Sequence, residues 1–189
     1  MTRYSIVAIV LHWLIAVAIF ILLGLGFYMT GLPDSAAAEK LKLYQLHKSI
    51  GITVLVLSLC RLGWRLMHRP PPLPEHLAAW EKVLARLTHG LFYVLMIVLP
   101  LSGWAMVSAS PWNLPTVLYG VLDWPHLPYF STVADKKTME ALLKEIHEIL
   151  AFGTIGLIGV HMAGALKHHF MDRDDVLARM LPFVKRGKS

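Results

Sequence analysis

The sequence predicts an all-α fold of the integral membrane kind, a four-helix transmembrane bundle. Three observations predict it. The chain is 56% hydrophobic and only 16% charged, with a mean hydropathy of +0.57. Its apolar residues fall in long runs instead of at amphipathic spacing. Two histidines, His147 and His161, lie fourteen residues apart within one such stretch, close to four turns of helix, and so share a face about 21 Å apart along its axis. That separation places them near opposite sides of a hydrocarbon core about 30 Å thick.

The first run, Ile6–Tyr28, predicts a helix over about 6–30. A cleaved signal peptide is the competing reading, since Arg3 supplies a charged start, but the run is 23 residues long and no small-residue cleavage pattern closes it. The second run, Ser49–Trp64, extends through His47 to a helix of about 44–68. Arg69-Pro70-Pro71-Pro72-Leu73-Pro74 then forms a stiff spacer, because successive prolines favour extended backbone. Leu91–Ala109, extended through His89, predicts a third helix over about 82–109. The connector from Ser110 to Lys137 carries Trp112, Tyr119, Trp124, Tyr129 and Phe130 among its prolines. Such aromatics serve as interfacial anchors, or a loop of this length caps a site. Ile149–Leu166 predicts the fourth helix, over about 141–169. In the tail, 170–189, Val176, Leu177, Met180 and Leu181 suit a short helix lying on the inner surface. Residues 1–189 are expected to form one domain, since a bundle of this size leaves no room for a second.

Basic residues are retained on the cytoplasmic side during insertion. With both termini cytoplasmic, twelve Lys and Arg, including every Arg, fall inside, against six outside: Lys40, Lys42, Lys48, Lys136, Lys137 and Lys144. The net charge of +6 is thus a topology signal, and no nucleic-acid partner is expected.

Cysteine excludes several chemistries. The single Cys60 offers no internal disulfide, no covalent c-type haem attachment and no iron–sulfur cluster, and it is expected to pack in the interior. Histidines, by contrast, are plentiful where they are expensive. Ionisable groups in a bilayer default to functional sites facing the bundle interior. Counted by depth, His47 and His147 lie near the outer edge. His12, His89 and His161 lie about 9 Å from the inner edge, which leaves three candidates for two inner positions. One imidazole from each of two facing helices clamps both axial positions of a non-covalent haem, closing the iron to oxygen and suiting it to electron transfer. Two depth levels predict two haems between the helices. Gly51, Gly90, Gly153, Gly156 and Gly159, near these histidines, suit close approach of a macrocycle. The bland readings are interhelical hydrogen bonds for the histidines and plain helix packing for the glycines. A single zinc site is disfavoured, because its ligands converge within about 2 Å of one ion.

Several motifs resemble the bacterial cytochrome b561 family: Tyr4 with Leu11-His12-Trp13, Leu46-His47 with Gly51, Arg61-Leu62 with Arg65, and Leu99-Pro100-Leu101-Ser102-Gly103. The same holds for Ile146-His147-Glu148, Gly159 to Phe170, and Leu177-Ala178-Arg179-Met180-Leu181-Pro182, so the likeness covers nearly the whole chain. The resemblance implies a di-haem b-type protein of the bacterial inner membrane. It pairs His12 with His161 at the inner iron and His47 with His147 at the outer iron. His89 is thereby released to hydrogen-bond or protonate a quinone, with His168 a second candidate. Arg61 and Arg65 are available to haem propionates, or else snorkel to the surface.

For the smallest family members, the resemblance implies oxidation of superoxide at the outer face and reduction of ubiquinone to ubiquinol. The outer lysines would attract the anion, although Asp34, Glu39, Asp123, Asp135, Glu140, Glu145 and Glu148 offset their charge. The alternative is a cytochrome b subunit passing electrons between a partner dehydrogenase or hydrogenase and the quinone pool. A haem-free proton-coupled transporter is a third possibility, and it predicts helices broken near the midplane.

Overall fold

The computed structural model describes residues 3–74 and 77–182. Four helices in it are long and apolar enough to cross a membrane. Helix α1 runs over Ile6–Gly31. Ser5 caps it, its hydroxyl oxygen accepting the Ala8 N–H at 3.3 Å. The same oxygen accepts the Trp64 indole N–H at 2.9 Å, which ties the start of α1 to the end of the next helix. Pro33 follows one residue after the extended Leu32 and ends the helix.

After one 3-10 turn, Asp34–Ala36, helix α2 spans Ala37–Met67. It begins earlier than the expected 44, because Ala37-Ala38-Glu39-Lys40-Leu41 are strong helix formers that hydropathy alone passes over. Helix α3, Ala79–Ala109, likewise starts early, with the Glu81 carboxylate accepting the Ala78 N–H at 3.0 Å. It runs on through Pro100. The remaining spanning helix, α5, covers Lys136–Lys167. Asp135 caps its start by accepting the Thr138 N–H at 3.1 Å. That bond and the neighbouring Lys137 hold the Asp135 carboxyl below its ordinary range.

Helix α1 packs along α2, α2 along α3, and α3 along α5. The side chains turned inward include hydroxylic ones, Ser49, Ser58, Thr88, Ser102, Ser108 and Thr154, beside apolar ones such as Ile9, Ile15, Val54 and Ala109. Small residues let helix backbones approach closely where lipid supplies no hydrophobic drive for association. Ser49, Ser108 and Thr154 donate back to the carbonyl four residues earlier, at 2.8 Å each. Large apolar residues such as Phe20, Leu91 and Phe152 are exposed, as lipid-facing groups are. Cys60 is also exposed, which corrects the expected interior packing: Ser58 and Arg61 take the inward positions beside it.

The outer connector is folded, not loose. It forms an antiparallel hairpin, β1 Thr116–Leu118 and β2 Leu122–Trp124, then the short helix α4, Pro128–Ser131. Gly120, at φ 72°, serves the hairpin turn, where a side chain would be strained. The Gln45 amide donates to the Pro115 carbonyl at 2.8 Å, Tyr119 N–H donates to Ser49 at 3.0 Å, and the Tyr119 hydroxyl lies 2.7 Å from that of Thr53. Trp104 donates to the Pro125 carbonyl at 2.9 Å. The connector is thus pinned over α2 and α3 as a cap, while Trp112 and Tyr129 remain exposed.

At the inner end, α5 continues as a π-helical turn, His168–Asp172, and the tail makes one 3-10 turn, Ala178–Met180. The expected surface helix is therefore replaced by a strap. Trp13 donates to the Met180 carbonyl at 2.8 Å, Arg3 donates to that of Leu181, and Arg179 donates to that of Pro72 at 2.9 Å. These bonds tie the tail to the start of α1 and to the proline spacer. The basic Lys185, Arg186 and Lys188 lie outside the described residues.

Candidate functional site

Because α5 is continuous across both histidines, His147 and His161 project from one face at two depths. Opposite His147 stands His47 of α2, the ring centres 6.3 Å apart and the planes at 71°. Opposite His161 stands His12 of α1, at 6.2 Å and 70°. Each imidazole is half-buried.

The donor chemistry fits haem iron. Two imidazole nitrogens bound at about 2 Å on opposite sides of one metal place their ring centres about 6 Å apart, and both pairs have that separation. On the His47 side, Nδ1 is buried with no hydrogen-bond partner among the described residues. At Gly51, Gly90, Gly153, Gly156 and Gly159 an added Cβ would meet no protein atom within 4 Å. Close packing of neighbouring helices therefore does not account for these glycines. Among the described residues the one convergent set of three ligand-type side chains is His168, Asp172 and Asp174, outside both histidine pairs.

Tertiary packing brought in residues that sequence reasoning missed. Ser102 Oγ lies 2.9 Å from His147 Nδ1. Gly103 abuts the same ring, such that a Cβ there would stand 3.1 Å from His147 Cε1. The signal was the Leu99-Pro100-Leu101-Ser102-Gly103 motif, which on its own gave these two residues no role. A Gly103→Val variant is expected to lose about 1–3 kcal/mol of stability through overpacking, seen as a lowered thermal midpoint in detergent. An unchanged midpoint would show that the His147 ring yields freely.

The inner level holds three histidines, as depth counting expected. His89 of α3 approaches His161 at 5.7 Å and 74°, and Phe92 of the same helix approaches His161 at 5.3 Å and 80°. His89 differs from His12 in its surroundings. It lines a cavity of about 550 Å³ with Tyr4, Arg65, Lys82, Arg86 and Tyr93, walled by Pro70–Pro72, whereas His12 does not. Arg61 is half-buried and donates to the Ala8 carbonyl at 3.1 Å, one turn from His12. Arg65 is exposed, its guanidinium 5.4 Å from the centre of the Tyr93 ring. His168 is set apart: its Nδ1 lies 2.9 Å from both Asp172 and Asp174, and it does not line the His89 cavity.

At the outer end, Lys48 donates to the Pro115 carbonyl at 3.2 Å and Lys40 pairs with Asp34 at 3.3 Å. Burial, together with the charges of Lys48 and Lys136, holds the His126 imidazole below its ordinary range.

Four spanning helices whose histidines face one another in pairs define a four-helix membrane cytochrome. Residues 3–183 match the family model described as prokaryotic cytochrome b561. The chain is 33% identical over 180 residues to Cytochrome b561 homolog 2 of Escherichia coli (strain K12), covering 95% of this chain and 91% of that protein. It is 29% identical over 184 residues to Cytochrome b561 homolog 1 of the same organism, covering 96% and 98%. To the Probable superoxide oxidase CybB of Yersinia pestis it is 30% identical over 188 residues, covering 98% of each. The chain belongs to the prokaryotic cytochrome b561 family. It is a bacterial membrane protein of electron transfer, and the family implies haem b as cofactor.

Proposed function

We propose that the protein oxidises superoxide to oxygen at the periplasmic side of the bacterial inner membrane and reduces ubiquinone to ubiquinol. In this reading it holds two non-covalent haem b groups, with both termini cytoplasmic. The observation that carries the proposal is the pairing of histidines at two depths along α5, with a cavity opening beside the inner pair. His47 and His147 hold the outer haem, and His12 and His161 the inner one. His12 is preferred to His89 as the fourth ligand because its distance to His161 matches that of the outer pair, whereas His89 is shorter and faces the cavity. Held by these histidines, haem would supply one-electron oxidation and reduction.

The chain's own residues account for the rest of the reaction. Two superoxide anions lose one electron each and leave as oxygen; one ubiquinone takes up two electrons and two protons. The outer lysines are the cations available to the anion, although acidic side chains on the same side offset their charge, and burial with the charges of Lys48 and Lys136 disfavours a positive His126. At the inner end, His89 hydrogen-bonds the quinone and passes it a proton. Arg61 and Arg65 are the cations within reach of propionates. The relative named as a probable superoxide oxidase supports the choice of donor.

A second reading, the cytochrome b subunit fed by a dehydrogenase, draws on the outer cap, where Trp112, Val121 and Tyr129 are 79%, 88% and 71% exposed and suit partner docking. The transporter reading is disfavoured, since each spanning helix is continuous. Stopped-flow spectroscopy of the purified oxidised protein separates the two remaining readings. Superoxide is expected to produce the reduced b-type spectrum, and a ubiquinone analogue to erase it. Haem that superoxide leaves oxidised would favour the dehydrogenase subunit.

A further inference from the structure

We infer that Ser102 is a positioning residue that fixes the tautomer and ring orientation of His147. The inference rests on the proposed role of His147 as a haem ligand. Ser102 Oγ makes two short contacts, one of 2.7 Å to the Leu99 carbonyl and one of 2.9 Å to His147 Nδ1. A carbonyl oxygen only accepts, and a hydroxyl has one proton to give. Both contacts are hydrogen bonds together only if Ser102 donates to Leu99 and accepts from His147. The His147 Nδ1 must therefore carry the proton. In a neutral imidazole this leaves Nε2 with the free lone pair, the state that a metal ligand requires.

The surroundings hold this arrangement in place. Ser102 is 8% exposed, so its hydroxyl is shielded from water. Gly103, on the next residue of α3, lets the ring lie against the helix. The facing ligand has no equivalent support, as His47 Nδ1 has no partner among the described residues. One turn of α3 thus seats one ligand of the pair, while the other is left to follow.

A donor bond from the non-ligating nitrogen raises the basicity of the ligating one, and losing such a partner typically weakens metal affinity about 10- to 100-fold. A more basic ligand stabilises oxidised iron, so its loss raises the reduction potential. The test compares the parent protein with Ser102→Ala, Ser102→Thr and His147→Ala. Haem per chain, both midpoint potentials, low-temperature electron paramagnetic resonance and thermal midpoints are measured for each.

Ser102→Ala is expected to weaken retention of one haem about 10- to 100-fold, to raise that haem's potential and to shift its resonance, with the other haem unmoved. Ser102→Thr, which keeps the hydroxyl, is expected to restore all three. Parental potentials and resonance in Ser102→Ala, with one haem lost from His147→Ala, would overturn the role of Ser102 and leave His147 a ligand. Both haems retained by His147→Ala would overturn the ligand assignment, and this inference with it. Should Ser102→Ala fail to accumulate, Ser102→Cys, a weak acceptor, is expected to raise the same potential; a parental value there would overturn the inference.

Discussion

Replacing His161 with alanine is expected to halve the haem content of the purified protein, from two per chain to one. His12→Ala is expected to do the same, and His89→Ala to retain both. A haem held without covalent attachment depends on its axial bonds and its packing. Removing one axial imidazole from a site only half-enclosed by protein takes away the strongest single interaction. The three variants also decide what ring distances alone leave close, since His161 lies 6.2 Å from His12 and 5.7 Å from His89. Pyridine haemochrome absorbance per chain is the measurement. A haem lost from His89→Ala and kept by His12→Ala would exchange the roles of these residues, placing the ligand on α3 and the open side chain on α1.

His89→Leu is expected to slow ubiquinone reduction by about 10²–10⁴-fold, the usual contribution of a positioned proton donor, while superoxide reduces the haems at the parental rate. The prediction follows from position: His89 is in ring contact with His161 and also lines the cavity beside Arg65 and Tyr93. A quinone head there lies next to the inner pair and within reach of a side chain able to give a proton. Single-turnover reoxidation of prereduced protein isolates this step from the superoxide half-reaction. Parental reoxidation kinetics in His89→Leu would place the quinone elsewhere. His168→Leu should have no such effect, for His168 is bound to Asp172 and Asp174 outside that cavity.

Local rules made much of this protein legible. The spanning helices follow from apolar runs, because a backbone in lipid must satisfy its hydrogen bonds within the segment. The late starts expected for α2 and α5 have a local cause too, since 37–43 and 136–140 carry charged residues that place these stretches outside the apolar runs. The tail was harder: its apolar pattern suits a surface helix, but Trp13 and Arg3, more than 160 residues away, bind it to the start of α1. The cap was legible only as two alternatives, because anchoring and covering draw on the same aromatic residues. Tyr119 reaches Thr53 while Trp112 stays exposed.

By itself, the sequence determined that the chain lives in a membrane and that His147 and His161 share one face of one helix. Both are consequences of composition and of the 3.6-residue period, which act within a single segment. The pairing of His12 with His161 and of His47 with His147 was already implied by the family resemblance; only the tertiary structure decided that His89 opens on a cavity and that Ser102 and Gly103 form the seat of His147. These are contacts through space between helices far apart in the chain. No periodicity within one helix encodes the rotation at which its neighbour docks.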